Sequence, residues 1–312
     1  MNASFIQALS AAREAASAQH YPAASLYVVA TPIGNLCDIT LRALHVLQLV
    51  ESVACEDTRH TLTLLRAYGI DKQSSQLLAL HQHNELEASQ ILISKLQKGE
   101  RVAYVSDAGT PGISDPGARL VAAVRAAGLG VIPLPGTSSI TTALSVAGVE
   151  EPQDQGFVFA GFLPSKAAER GSAIDTLGSD SRAIVLLEAP HRIEALTNAL
   201  AVLGSRRVTV CRELTKQFEE VATMAAADLA AWLSQGPNRA RGEFVLVLHP
   251  REVASESQDT HALKTLTLLM AELPLKTAVK LSADITGASR NVLYEAALKL
   301  KNSAEKPPTG RI

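Results

Sequence analysis

Short apolar runs alternate with longer segments of helical periodicity from Leu26 to about His249. This alternation constrains the fold more than any other feature of the chain. A strand, a helix and a second strand in succession form a right-handed crossover, which builds a mainly parallel sheet. The first series predicts strands at 26–30, 52–55, 76–80, 102–106 and 130–134. We therefore predict an α/β domain at residues 25–149.

A polar, turn-forming segment, Gly148–Gly156, separates this series from a second one. The second series alternates in the same way, so it predicts a second α/β domain at residues 153–250. Its strands are predicted at 157–162, 183–188, 207–211 and 243–249, with helices at 193–203 and near 226–234.

The two ends of the chain lack the alternation of strands and helices and differ in composition. Residues 1–24 are rich in Ala and Ser and predict a flexible extension, either a frayed tail or a short weak helix. Residues 258–302 predict a helical tail domain with a tight turn at Gly287, a spacing like that of a helix-turn-helix pair. From Pro274 onward, seven Lys or Arg residues stand against three acids, which fits either a solvated face or an RNA-facing surface.

Composition excludes several classes of protein. A net charge of −2 argues against a uniformly basic nucleic-acid binder but leaves room for a local basic patch. Aromatic residues make up only 4% of the chain, which argues against broad base-stacking surfaces. No apolar run is long enough for a membrane helix, so we expect no membrane partner. Three distant cysteines indicate neither disulfides nor a metal site and suit a reducing, cytoplasmic location.

Three loops rich in Gly and Pro follow predicted strands one, four and five. They are TPIGN at 31–35, SDAGTPGISDPG at 106–117, and the Pro-Gly-Thr-Ser-Ser segment at 135–139. Such loops let the backbone approach a ligand closely, and α/β sheets bind ligands at the carboxyl ends of their strands. We therefore predict one ligand along this edge. Structural turns and a hydroxyl-capped helix start are the alternatives.

Six motifs in consistent order resemble those of the ribosomal RNA small subunit methyltransferase I family. They are TPIGNLCDITLRAL, ACEDTRHT, YVSDAGTPGISDPG, LPGTSS, EAPHRI and CRELTKQFEE. That family is one of the tetrapyrrole-methylase-like, class III S-adenosylmethionine methyltransferases. The resemblance implies an α/β fold of two tetrapyrrole methylase-type domains with a cofactor cleft between them, plus a small C-terminal helical domain. It also implies 2′-O-methylation of a cytidine in the decoding region of 16S rRNA, by a homodimer acting on that rRNA or the small ribosomal subunit.

The resemblance also implies which residues bind S-adenosylmethionine. In the loop after strand four, Ser-Asp-Ala stands where tetrapyrrole methylases usually have Gly-Asp-Pro. The cofactor-binding residues implied are Pro32, Ser106, Asp107, Ala108, Thr110, Ile113, Ser139, Ile140 and Leu187.

Transfer to a ribose hydroxyl needs alignment and a group that accepts the hydroxyl proton. Glu56, Asp57 and Glu188 are the candidate catalytic carboxylates. For the first two, the alternative is a capped helix start with Arg59 paired to Glu56. Basic and polar residues near the same strand ends are candidates for binding RNA, with a salt-bridged surface or a polar helix cap at Asn84 as alternatives. They are Arg59, His81, His83, Asn84, Lys166, Arg192, Arg212 and Lys216, together with Lys276 and Lys280 in the tail.

The sequence is also compatible with two other functions. A methylase of the same fold could act on a corrin or another tetrapyrrole. A non-catalytic RNA-binding assembly factor could retain the cofactor fold. The basic helical tail and the EDTR and EAPHRI motifs favour RNA, because a small substrate needs no such appendage.

Overall fold

The computed structural model describes residues 5–81, 84–113, 117–150, 156–251 and 258–304. The chain divides into two units, one running to Pro250 and the other beginning at Arg251. The first unit contains both α/β sheets, and the second is helical.

The first sheet is entirely parallel, as the strand–helix alternation predicts. Its strand order is β3-β2-β4-β1-β5. The strands are β1 (Ser25–Val29), β2 (Ser52–Cys55), β3 (Leu77–Ala79), β4 (Val102–Val105) and β5 (Gly130–Leu134). The order places β1 and β4 side by side near the middle, so the loops that follow β1, β4 and β5 lie along one edge.

Helices cover both faces of this sheet. They are α2 (Leu41–Leu49), α3 (Thr58–Ala67), α4 (Glu85–Gln97) and α5 (Ala118–Ala126), whereas α6 (Ser139–Ala147) packs against the second sheet. Successive residues of β1 point to opposite faces, so Tyr27 joins the core with Leu44 and Leu47, whereas Leu26 joins the core with Leu92 and Leu120. Strands buried on both faces account for the continuous apolar runs in the sequence.

Of the two alternatives expected for the N-terminal extension, a frayed tail or a short helix, residues 5–24 contain the helix. Helix α1 (Ile6–Ala16) packs against α2, and its Ala12 and Ala16 are buried in the core. The ring of Phe5 contacts that of Tyr68, with centroids 5.1 Å apart. Alanine is the strongest helix former, and its small side chain lets helices approach closely, so an Ala-rich segment suits this position.

The second sheet is mixed, with strand order β6-β7-β10-β8-β9. Its strands are β6 (Phe157–Gly161), β7 (Ala183–Glu188), β8 (Arg207–Arg212), β9 (Glu220–Ala225) and β10 (Phe244–Leu248). Strands β6 and β7 are parallel, whereas β10 is antiparallel to both of its neighbours, and β9 is antiparallel to β8. The helices that accompany it are α7 (Ala167–Gly178), α8 (Ile193–Leu200) and α9 (Leu229–Ser234).

The two sheets of the first unit share an apolar contact. Ile33, Ile140 and Ala143, from the first domain, pack with Val185 and Val245 of the second sheet. Polar contacts reinforce it: the amide of Asn35 donates to Thr215 Oγ1 at 3.1 Å. This contact sets the two sheets on either side of a common cleft.

The second unit consists of α10 (Gln258–Glu272), α11 (Leu275–Thr286) and α12 (Arg290–Ala304). Ala262, Leu266, Ala278 and Leu293 form its small core, and the turn between α11 and α12 begins at Gly287, as predicted. Every helix in the described part of the chain is too short or too polar to cross a lipid bilayer.

Candidate active site

Hydrogen bonds join the three Gly- and Pro-rich loops at the edge of the first sheet. Thr31 and Gly109 exchange two backbone hydrogen bonds of 2.9 Å, and Thr31 Oγ1 donates to the carbonyl of Ser106 at 3.1 Å. Thr137 Oγ1 donates to the carbonyl of Thr31, and Thr110 Oγ1 donates to the carbonyl of Thr137 at 2.8 Å. The loops after β1, β4 and β5 therefore form one continuous surface.

A cavity of about 360 Å³ lies between this surface and the second sheet. That volume falls in the range of pockets that hold small ligands. The first domain contributes Ala108, Gly109, Thr110, Ile113, Ser138, Ser139 and Ile140 to its wall. The second domain contributes Phe162, Leu187, Glu188, Ala189, Pro190, Glu243, Phe244 and Val245.

Six of the nine cofactor-binding residues implied by the resemblance line this cavity. They are Ala108, Thr110, Ile113, Ser139, Ile140 and Leu187. Pro32, Ser106 and Asp107 are not among the lining residues. Ser106 is 1% exposed and donates to the carbonyls of Ala108 and Gly109, so it shapes the loop from within. The carboxylate of Asp107 accepts a 3.4 Å hydrogen bond from the amide of Asp57.

Sequence reasoning missed the contribution of β10. Glu243, Phe244 and Val245 reach the cavity because β10 lies between β7 and β8, with Phe244 in register with Glu188. Only the sheet topology reveals this. Ala189 and Pro190 could have been identified from the sequence, because they follow Glu188 directly in the EAPHRI motif.

Of the three candidate catalytic carboxylates, only Glu188 lines the cavity. It is 3% exposed, and its Oε1 accepts from the amide of Ala189 at 2.9 Å and pairs with Arg192 Nε at 3.1 Å. Arg192 also donates to the carbonyl of Leu163. Arg192, a candidate for binding RNA, therefore contacts both Glu188 and the backbone at Leu163.

Asp57 is the N-cap residue of α3, which matches the structural alternative. Its carboxylate accepts from the amides of Arg59, at 2.8 Å, and His60, at 3.4 Å, and pairs with Arg59 Nη2 at 3.1 Å. Hydrogen bonds from the Arg59 side chain and backbone lower the pKa of Asp57 to about 2. Such a carboxylate is a weak base near neutral pH. Arg59 pairs with Asp57 here, whereas the sequence suggested Glu56.

Arg212 is placed as a structural residue, not as the RNA contact that the sequence suggested. It is 8% exposed, and its guanidinium donates to the carbonyls of Arg241 at 2.7 Å, Phe218 at 3.1 Å and Asn238 at 3.0 Å. Every guanidinium nitrogen is thereby committed to a backbone carbonyl, so Arg212 holds the neighbouring loops together.

Lys216 is also committed to partners inside the protein. Its Nζ lies 2.9 Å from Glu213 Oε1 and 3.0 Å from Glu243 Oε2. Desolvation lowers the pKa of Lys216, but its hydrogen bonds to the two carboxylates outweigh this, and the pKa is raised overall. Two carboxylates thus neutralise the ammonium that was expected to bind phosphate.

The remaining RNA-binding candidates fall into two groups. The side chains of Arg59 and Lys166 are 90% and 79% exposed, and Lys276 and Lys280 are exposed on α11. The side chain of Asn84 is bonded to the backbone: it accepts a hydrogen bond from the amide of His81 at 2.8 Å and donates one to the carbonyl of Ala79 at 2.9 Å. His81 is exposed, and His83 lies outside the described residues.

Within the described ranges, no three His, Cys, Asp or Glu side chains gather into a possible metal site.

Two family models match the chain. The model for Tetrapyrrole (Corrin/Porphyrin) Methylases matches residues 25–230. The model for the RsmI C-terminal HTH domain matches residues 256–301, which include most of α10, α11 and α12. Together they cover the first sheet, four of the five strands of the second sheet and most of the helical unit; β10 lies between the two matches.

Similar solved structures share the fold. The cobalamin biosynthetic enzyme cobalt precorrin-4 methyltransferase has a TM-score of 0.53 at 17% identity, covering 72% of this chain and 94% of its own. Diphthine synthase has a TM-score of 0.54 at 16% identity, covering 72% of this chain and 90% of its own.

Curated relatives are much more similar in sequence. The ribosomal RNA small subunit methyltransferase I of Escherichia coli O157:H7 is 47% identical over 88% of this chain and 94% of its own. The protein of the same name from Pseudomonas aeruginosa is 47% identical over 89% of this chain and 98% of its own. The chain therefore belongs to the ribosomal RNA small subunit methyltransferase I family, within the tetrapyrrole methylases.

Proposed function

We propose that this protein transfers the methyl group of S-adenosylmethionine to the rRNA of the small ribosomal subunit. The observation that carries the proposal is the near full-length similarity to relatives named for this reaction, with the cavity placed between the two sheets. From the resemblance of the motifs, we propose the 2′-hydroxyl of a cytidine in the decoding region of 16S rRNA as the acceptor. On the same ground, we propose a cytoplasmic homodimer that meets the rRNA within the small subunit.

The charge of the cavity wall fits S-adenosylmethionine. The charged residues that line the cavity within the described ranges are the acids Glu188 and Glu243. The cofactor carries a positive sulfonium and a positive ammonium group, which these carboxylates can approach, while Arg192 and Lys216 balance the charge of Glu188 and Glu243 from behind the wall. The fit also extends to size, because the cavity of about 360 Å³ suits a ligand of this class.

The start of α6 suits the carboxylate of the cofactor. Ser138 is the N-cap residue of α6, yet its side chain forms no capping hydrogen bond, and both Ser138 and Ser139 line the cavity. The first amides of a helix lack partners within the helix and favour an anion. These hydroxyls and amides are therefore the groups we assign to the carboxylate.

The sulfonium of the bound cofactor supplies an activated methyl group, so the protein's own task is alignment and proton transfer. We assign proton acceptance to Glu188 because it is the candidate carboxylate that lines the cavity. Its contacts with the described residues all involve Oε1, which leaves Oε2 for the substrate. Glu188 Oε2 would accept the proton of the ribose hydroxyl as the ribose oxygen takes the methyl group from the sulfonium.

The RNA-contacting surface that we propose has two parts. Arg59 and Lys166 are exposed in the first unit, and Lys276 and Lys280 are exposed on α11 of the second. Cationic side chains of this kind bind phosphates without reading sequence, and they position the nucleic acid. They suit an enzyme whose specificity depends on the shape of a folded RNA.

Transfer of labelled methyl groups tests the proposal directly. The purified protein is incubated with labelled S-adenosylmethionine and with small subunits, or naked 16S rRNA, from a strain that lacks the enzyme. We expect label in one rRNA fragment, at a cytidine whose 3′ phosphodiester resists alkaline cleavage. Absence of label in both substrates overturns the proposal. Label in a tetrapyrrole instead identifies a corrin-type methylase, and RNA binding without cofactor binding identifies an assembly factor.

A further inference from the structure

Phe162 is a half-exposed aromatic residue in the wall of the cavity. It is 52% exposed, whereas Phe244, the other aromatic residue among the described lining, is 2% exposed and belongs to the core. We propose that Phe162 stacks on the base of the acceptor nucleotide and so directs the ribose of that nucleotide toward Glu188. This inference rests on the proposed function and names a substrate-binding residue for it.

The backbone holds Phe162 at the cavity in a defined way. The pairing of β6 with β7 shifts register between Phe159 and Gly161, and Gly161 has a φ of +65°. A bulge of this kind bends the strand and redirects the next side chain. Phe162 follows the bulge directly, and Leu163 then returns to the core with 5% exposure. The bend at Gly161, at the end of β6, therefore turns the ring of Phe162 toward the cavity.

A chain of contacts connects Phe162 to the proposed proton acceptor. The carbonyl of Leu163, the next residue, accepts a hydrogen bond from Arg192. Arg192 Nε pairs with Glu188 at 3.1 Å. The backbone beside the ring and the carboxylate are thus held by the same guanidinium. Fixed spacing between a base platform and a proton acceptor is what alignment of a ribose hydroxyl requires.

A cation follows Phe162 four residues later in the sequence. Lys166, at the N-cap of α7, has a side chain that is 79% exposed and pairs only at the surface, with Glu169 at 3.0 Å. An aromatic ring for a base and a lysine for the adjoining phosphate together are typical of sites for unpaired nucleotides. An acceptor base that has left its stack meets both requirements, since stacking on Phe162 offsets part of the cost of unstacking.

Four variants of the full-length protein test the inference. Phe162→Ala and Phe162→Leu remove the aromatic face, Phe162→Tyr keeps it, and Phe157→Ala is the matched control. Phe157 begins β6, the strand that Phe162 follows, and is 45% exposed, but it does not line the cavity. We expect the KM for rRNA to rise about 5-fold to 150-fold in the Ala and Leu variants, the range of one lost base–aromatic stack. The Tyr variant and the control should match the wild type.

Cofactor affinity, measured by calorimetry without RNA, separates the competing outcomes. We expect it to be unchanged in all four variants. Weaker cofactor binding in Phe162→Ala, with an unchanged KM for rRNA, shows that the ring covers the cofactor and overturns the inference. A Leu variant that matches the wild type also overturns it. If wild-type protein methylates no rRNA, the proposed function itself fails. Normal wild-type activity with an unaffected Phe162→Ala variant refutes only the stacking role.

Discussion

Thr31 and Gly109 exchange two backbone hydrogen bonds of 2.9 Å, although they follow different strands of the first sheet. The pair forms an isolated antiparallel bridge beyond the ends of β1 and β4. Gly109 adopts a φ of +81° there, a conformation that residues with a Cβ rarely adopt. Its position in the cavity wall makes the bridge part of the proposed cofactor site.

Gly109→Ala should therefore impair cofactor binding. Left-handed backbone costs an alanine about 1–2 kcal/mol, and the added Cβ would lie 3.4 Å from Ile33 Cγ2. Gly128→Ala is the matched control, because Gly128 has a φ of +73° and open space around its Cβ position. Thermal unfolding should show a similar loss of stability in both. Calorimetry should show at least tenfold weaker S-adenosylmethionine binding in the Gly109 variant alone, and equal affinities would contradict the assignment.

Asp57 should not contribute to the pH dependence of methyl transfer near neutrality. Its pKa is lowered to about 2 from an ordinary value of 3.8, so the carboxyl stays ionised from pH 5 to 9. The stability that this ionised cap contributes is present above pH 4 and is lost as the pH falls toward 2. We expect Asp57→Asn to retain the wild-type pH–rate profile, measured from pH 5 to 9. Loss of an inflection in that range would restore Asp57 as a candidate base.

Glu188→Gln should reduce kcat strongly while leaving the fold intact. The amide oxygen can still accept from the Ala189 amide, but it cannot take the ribose proton, which costs about 10²- to 10⁴-fold in general-base catalysis. Glu51→Gln is the matched control, since Glu51 also accepts a backbone amide and pairs with an arginine, Arg101. Single-turnover methyl transfer measures the effect. Comparable rates in the two variants would be evidence against Glu188.

Charge reversal on α11 should weaken RNA binding in a salt-dependent way. Lys276→Glu together with Lys280→Glu removes two exposed cations, and each phosphate contact contributes roughly 0.7–0.9 to the slope of log K against log salt. Filter binding from low to high salt should give a shallower slope and the largest loss at low salt. The paired control, Lys98→Glu with Arg125→Glu, reverses two exposed cations of the first domain. An unchanged slope in the α11 variant returns this helix to a structural role.

The architecture of the first domain was predictable because its strands are buried on both faces. Runs such as that of β4, with every residue buried, show clearly in the sequence. Strand β9 was missed because it alternates partly buried and exposed residues and begins at Glu220, within a stretch rich in charge. Helix α7 was missed because Ile174 is its only buried residue, which leaves little apolar periodicity to detect.

The loops of the site were predictable from the sequence, but the partners of its charged side chains were not. Gly- and Pro-rich loops after neighbouring parallel strands indicated a common edge, and hydrogen bonds join Thr31, Gly109 and Thr137 there. Charge in the sequence gave no such guidance, because an arginine that binds phosphate and one that holds backbone carbonyls look alike. Arg212 and Arg192 were assigned to RNA for that reason, and only their partners distinguish them.

The central position of β10 affects the order in which the protein can be made. Strand β10 separates β7 from β8, although it leaves the ribosome after both of them. Until Leu248 has been synthesised, β7 and β8 each present an unpaired edge, the kind of edge that promotes aggregation. Phe244 and Val245 also complete the cavity wall. A nascent chain therefore completes its second sheet and the cavity wall in the same late step, so products truncated before β10 lack part of that wall.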